Sequence, residues 1–519
     1  MTGEGRRRLP LLHVAAVAWT VLAVAWAVTN AAFAAPDETQ HFLRAVALAG
    51  GEVIGEPVTD YTSPNLDERQ LAWVRQATRR VDVPVGLDPG PYTCFIRVVD
   101  DSAACIDEVE PTGVPTSHVT AVGNYPPLTY LLPGLAARAA PEPGIANGAA
   151  RLVGVAMAMG LVLWAARLWR RARGDLVVVA LAVVLAPAVL FTFATLNPSG
   201  LEIAAAIAVC CAALAIRAGD ERRAPLLLLA VATPVLALSR SIGPVWVAVI
   251  GFIALVTVTP RGVLRLRAAH PVLLPVVAGV SVVAVGVQVG WERAYGSRAA
   301  FGPLPGRGAR DEWLNILDVI GRQAIATFGY IDVPSHSMAY RLWWAVGITL
   351  LAAGVWATRR WQRPWLLALI GLGLASPLLL DLFILRSNGF LAQGRHVTPI
   401  LVVAPLFAGD ALVQRLTPWF DSRPRWADPA ASVVLVLLGL AHALAWYSNA
   451  RRNAVGLLGP FGFLGVAEWE PPGGWWFWLF VVGAACAALS GVWTWVGLLR
   501  DRQPAPVSAA TSAAHHPGG

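Results

Sequence analysis

The decapeptide Pro36-Asp37-Glu38-Thr39-Gln40-His41-Phe42-Leu43-Arg44-Ala45 crowds two carboxylates, an imidazole and a guanidinium directly after the first long apolar run. On a helix, Asp37, His41 and Arg44 fall at i, i+4 and i+7 and share one face. Two chemistries suit this set. One is structural: acids in a first turn complement the helix dipole, and Arg44 pairs with Asp37 or Glu38. The other is catalytic: a carboxylate general base at a membrane rim, with its neighbour holding substrate or a metal ion. A cap needs neither two acids nor His41, which favours the catalytic reading.

The elements that position this stretch are almost entirely hydrocarbon-compatible. Of 519 residues, 56% are hydrophobic and 14% charged, against about 45–50% and about 25% in a soluble domain. The fold class is therefore an all-α polytopic membrane protein. All 40 basic residues are Arg. The net charge of +8 hides a segregation: between Pro36 and Asn124 there are 14 acids and 6 Arg, and elsewhere 34 Arg and 18 acids. The positive charge sits in short loops between apolar runs, as expected of cytoplasmic loops, so no nucleic-acid partner is implied.

Arg6-Arg7-Arg8, the apolar run Leu9 to Ala35 and the Ala-Phe-Ala-Ala at 32–35 resemble a signal peptide. The run is too long for a signal core and suits an uncleaved first spanning helix with its N-terminus inside. Further runs follow at roughly 146–166, 176–195, 200–216, 224–239, 242–259, 271–290, 338–358, 364–385, 397–414, 430–447 and 475–499. This predicts about twelve spans in one domain, 1–500, followed by a disordered cytoplasmic tail, 501–519. If the spans alternate, five Arg clusters fall on one side: Arg167/Arg170/Arg171/Arg173, Arg217/Arg222/Arg223, Arg261/Arg265/Arg267, Arg359/Arg360/Arg363 and Arg415/Arg423/Arg425. That side is the cytoplasm of a plasma-membrane protein with both termini inside. The opposite side receives 36–124, the Asn197–Gly200 turn, the Ser239-Arg240-Ser241 turn, 291–337, 386–396 and 448–474. Within these, helices are predicted at 37–49, 128–139 and 311–327, and the rest of 36–124 reads as a Pro-, Asp- and Gly-rich loop.

Cys210, Cys211 and Cys486 lie in apolar runs as core residues. Cys94 and Cys105 share the acidic loop, where a disulfide is permitted if the loop is extracytoplasmic; spacing alone leaves paired and free thiols both open. Asp381 sits inside the run 364–385, where a charge is costly, and Arg386 is a candidate partner. Asp332 and His336 are four apart in a loop and offer contacts to an acceptor or metal. No His/Cys/Asp cluster has metal-ligand spacing, and no phosphate-binding loop or Ser-His-Asp order is present.

Four stretches together resemble domain-of-unknown-function family 2142, a family of bacterial polytopic membrane proteins. They are Pro-Asp-Glu-x-x-His-x-x-Arg-Ala at 36–45, Tyr125-Pro126-Pro127-Leu128-Thr129-Tyr130, Asn197-Pro198-Ser199-Gly200-Leu201-Glu202 and Gln393-Gly394-Arg395-His396-Val397-Thr398-Pro399, with His396 in place of the family's usual Tyr. That family is similar to the GT-C glycosyltransferases, which include protein O-mannosyltransferases and aminoarabinose transferases. The resemblance implies a GT-C-like bundle that transfers a sugar from a polyprenyl-phosphate donor to a hydroxyl of an envelope glycan, lipid or protein. It implies Asp37 as base, with Glu38 as alternative or partner, and leaves open a divalent cation, Mg or Ca, at Asp37/Glu38. A departing phosphate needs a guanidinium; Arg395 is the first choice, with Arg44, Arg240 and Arg386 behind it. His41, Tyr125, Asn197, Glu202, Asp332, His336, Gln393 and His396 complete the expected substrate-binding set. The implied partners are the lipid-linked donor, the acceptor and membrane lipids. A transporter or flippase of lipid-linked saccharide is the alternative from a different class, and an inactive envelope scaffold a third that leaves the acid pair unexplained.

Overall fold

The computed structural model describes residues 11–96, 98–110, 113–298, 302, 309–385, 391–422 and 424–501. Arg386, the tail beyond Asp501 and the N-terminal Arg6–Arg8 lie outside the described residues. Ten helices among the described residues are long and apolar enough to cross a membrane, from Leu12–Thr29 to Gly474–Gly491. Two further apolar runs form helix without meeting that length. Arg223–Leu238 is one. The other, 176–195, is broken into Val177–Val184 and Pro187–Phe193. Pro187 cannot donate to the preceding turn and forces Ala186 into an extended conformation, so the run cannot continue as one helix. All twelve expected apolar runs are thus helical.

Helix Pro198–Arg217 is the axis of the bundle, buried from Pro198 to Ile216. Its Ala-rich faces let neighbours approach closely, as lipid-embedded helices require, and it packs against Pro143–Arg173, Arg223–Leu238 and Gly243–Ala269. Helices Gly243–Ala269 and Leu273–Tyr295 instead turn apolar side chains such as Phe252, Leu255 and Val282 outwards. Four of the Arg clusters, and Arg415 of the fifth, lie at or just beyond the ends of spans that begin near the Asp37 end of the bundle. At the far end Arg173 pairs with Asp410 at 2.8 Å, Arg217 reaches Gln362 at 3.2 Å, and His270 meets the Glu221 carbonyl at 2.7 Å.

The segment 36–124 is more ordered than a loop. Helices Glu38–Ala49 and Leu131–Arg138 form where expected, and 311–327 becomes Ala309–Asp318 continued by a π turn at Val319–Gln323. Three strands were not anticipated: Glu56–Pro57, Arg79–Val83 and Thr116–Thr120 make an antiparallel sheet with Val81 opposite His118. Alternation buries Arg79, Val81 and Val83 while Asp82 faces out. Cys94 and Cys105 form a disulfide. Their loop is clamped to helix Pro424–Val455, whose Arg452 donates to the carbonyls of Phe95 and Val98 at 3.0 and 2.9 Å.

Candidate active site

The site begins with a buried knot beneath it. Arg151, in helix Pro143–Arg173, donates to the carbonyls of Ala27, Asn30 and Ala31, which end the first helix and its connector, at 3.2, 2.5 and 2.9 Å. The same guanidinium grips Glu38 bidentately, Nε to Oε1 at 2.7 Å and Nη2 to Oε2 at 2.6 Å. Glu38 Oε1 also accepts from the Leu196 amide at 2.9 Å. Both side chains are 2% exposed or less. A buried ion pair is tolerable only when its remaining polar atoms are bonded, and here they are. The structure thus places Glu38, expected as a base or as the partner of Asp37, in an ion pair that joins three parts of the chain. Both Glu38 oxygens are engaged by Arg151. Among the described residues no group of three or more His, Cys, Asp or Glu is arranged to hold a metal.

Asp37 faces the other way. It stands before the first residue of helix Glu38–Ala49 with φ 60° and ψ 10°, the left-handed region that Asp tolerates better than most residues. Its carboxylate does not cap the helix but pairs with Arg395. The Arg395 guanidinium also donates from Nη1 to the Pro36 carbonyl at 3.1 Å. The Asp37 side chain is 49% exposed and that of Arg395 only 13%. Arg395 opens helix Gly394–Leu401, and Gly394 is required there: a Cβ would lie 2.6 Å from the Gln323 carbonyl carbon. The Gly394 amide donates to Gln323 Oε1 at 3.0 Å, and the Gln393 amide to His396 Nδ1 at 3.3 Å.

A second guanidinium, Arg240, donates to Ser199 Oγ at 3.0 Å and lies within electrostatic reach of Asp37, His41, Tyr130, Glu202 and His396. Burial raises the Asp37 pKa, but Arg395 and the other positive groups, Arg240 among them, outweigh it and hold the carboxyl below its usual range. His41 is hydrogen-bonded through Nδ1 to the Tyr130 hydroxyl at 2.8 Å. Burial, reinforced by Arg395 and Arg240 against the pull of Asp37, lowers the His41 pKa to about 3, so the ring is neutral at pH 7. Arg44 does not pair with either acid. It is fully buried, donates to the Tyr125 carbonyl at 2.8 Å and to that of Glu52 at 3.4 Å, and so positions the Tyr-Pro-Pro segment rather than a ligand.

Arg395 lines a small open recess of mixed polarity with Pro36, Phe191, Asn197, Gln323 and Gln393. An apolar pocket of about 840 Å³ adjoins it, walled by Val183, Trp343, Trp344, Leu401 and Pro405. Thr398 borders both.

The sequence profile of a family described as predicted membrane protein, DUF2142, matches residues 21–404. The chain belongs to this family. No curated protein and no solved structure matches it. The DUF2142 match runs from the first helix to just beyond Arg395, and therefore contains both members of the Asp37–Arg395 pair.

Of the expected site residues in this DUF2142 protein, Asp37, His41, Tyr125, Glu202, Arg240, Gln393, Arg395 and His396 gather around the recess and Arg240. Asn197 lines the recess while its side chain caps helix Pro198–Arg217 by accepting from the Ser199 amide at 3.0 Å. Asp332 lies in a neighbouring small pocket with Asn30, Arg452 and Asn453. His336 does not line the recess: it is exposed and caps helix Ser337–Ala357, accepting from the Met338 amide at 3.3 Å. Asp381 is buried and accepts from the Ala392 amide at 2.5 Å, which anchors the approach to Gln393. Sequence reasoning missed Arg151. Its signal was present, since an Arg inside an apolar run needs a partner.

Proposed function

We propose that this protein is a membrane glycosyltransferase, of GT-C-like architecture, moving a sugar from a polyprenyl-phosphate donor to a hydroxyl of an envelope glycan, lipid or protein. The observation that carries the reading is the Asp37–Arg395 pair at a recess of mixed polarity with an apolar pocket beside it. A lipid-linked donor is itself half polar and half apolar, and the shared border at Thr398 suits the junction between its phosphate and its chain. In the reaction the acceptor hydroxyl gives its proton to Asp37, and the acceptor oxygen bonds to the anomeric carbon. The bond from that carbon to the phosphate oxygen breaks, with its electron pair leaving on the phosphate. Arg395 binds those oxygens, and Arg240 adds positive charge behind it. An extracytoplasmic site is supported by the Arg clusters at the far end of the bundle and by the Cys94–Cys105 disulfide.

The test is transfer of labelled sugar from synthetic polyprenyl-phosphate donors to envelope acceptors by protein in nanodiscs. Asp37→Asn is expected to lower the rate by about 10²–10⁴-fold. Wild-type rates in both Asp37→Asn and Arg395→Ala would sink the reading. Two observations favour the flippase alternative: the helix broken at Pro187, and Glu202, buried within a span with neither oxygen hydrogen-bonded. Headgroup translocation in proteoliposomes without glycosidic cleavage would replace the transferase with that reading.

A further inference from the structure

Asp37 and the donor phosphate call on the same guanidinium. At the end of the Arg395 fork Nη1 donates to the Pro36 carbonyl and Nη2 to Asp37, each keeping a second N–H. Its Nε edge offers no alternative approach, because that nitrogen is buried and has no hydrogen-bond partner. A phosphate gripping the guanidinium bidentately, end-on or side-on, needs Nη2, the nitrogen that Asp37 holds. A carboxylate bonded to a guanidinium is also a poorer proton acceptor than a free one, since the cation favours its charged form.

We propose that Asp37 and the donor phosphate are alternative partners of Arg395, so that the donor binds first and, by drawing Arg395 away, frees the carboxylate to take the acceptor's proton. This inference rests on the transferase reading and adds an order of events to it. Acceptor arriving at the empty enzyme meets an ion-paired base. Donor arrival converts the pair into a bound phosphate and an available carboxylate. After transfer, the polyprenyl phosphate product holds Arg395 until it leaves, and departure restores the pair. Asp37 is suited to the exchange because it keeps half its side-chain surface in solvent, which lowers the cost of releasing it from Arg395.

The test is a double-mutant cycle on the affinity for citronellyl phosphate, a short soluble polyprenyl phosphate, measured by calorimetry on the full chain in detergent. Arg395→Ala is expected to weaken binding by about tenfold or more. Asp37→Asn, nearly isosteric, is expected to tighten it by roughly two- to tenfold, because a competitor for the fork is gone. That gain should vanish in the Arg395→Ala background. If Asp37→Asn leaves affinity unchanged, or its gain persists without Arg395, the exchange is overturned while the transferase reading stands. If Arg395→Ala binds like wild type, the phosphate contact of the transferase reading falls and takes the exchange with it. Should Arg395→Ala fail to fold, Arg395→Lys keeps the charge, removes the fork and closes the same cycle.

Discussion

Asp37 and Glu38 share a peptide bond, yet one carboxylate is half in water and the other has no exposed surface. The left-handed backbone at Asp37 is what separates them. It turns the first acid towards Arg395, far along the chain, and lets the second drop into the body of the bundle, where Arg151 receives it. Adjacent acids in a motif are therefore not a catalytic dyad by default. Here one is available for chemistry because the other fixes the backbone that presents it.

The largest break in this comparison should come from kinetics. Asp37→Asn is expected to lose about 10²–10⁴ in transfer rate with an unchanged melting temperature. Glu38→Ala should do the reverse in kind, destabilising the protein by about 3–5 kcal/mol because Arg151 is left buried and unpaired. Thermal melts alongside rates separate the two, and equal melts for both variants would show that Glu38 is no strut.

A smaller effect concerns His41, which is hydrogen-bonded to Tyr130 and lies within electrostatic reach of Asp37. Its pKa in the folded protein, about 3, is below the ordinary value near 6.5, so the unfolded chain takes up a proton first as pH falls. Folded stability should decline through that window, from about pH 6.5 towards 3, and His41→Gln should flatten the slope. Asp37 acts in a lower window, because its depressed pKa withdraws stability only below the usual carboxylate range. Melting temperature against pH, for wild type and His41→Gln, checks the sign.

The smallest effect is expected at the disulfide. Cys94→Ser with Cys105→Ser should cost about 2–3 kcal/mol by loosening the unfolded chain, while transfer activity persists because Arg452 still holds the loop. A chemical-denaturation midpoint measures it.

The apolar runs were legible because a span needs only length and composition, which are local. The residue types at Asp37 and Arg395 were legible too, but their contact joins positions 358 apart and depends on a single backbone conformation at Asp37 that no periodicity announces. The strands at 79–83 and 116–120 are five residues each, too short for alternation to stand out from a Pro- and Gly-rich segment. The sequence offers Arg44 as a substrate-binding cation, with pairing to the acids of its own helix as the alternative, whereas its burial against the Tyr125 carbonyl is decided by the return of a distant segment.

The Arg151 knot also closes a mechanical ring. From Arg151, helix Pro143–Arg173 runs roughly 33 Å at 1.5 Å per residue to Arg173, which grips Asp410. The span Gly394–Trp419, which carries Asp410, leads back to Arg395 and so to Asp37. Three ion pairs, two at the Asp37 end of the bundle and one at the other, thus close the ring like braces in a frame. The spacing of the candidate base and its cation is set partly by a carboxylate on the far side of the membrane.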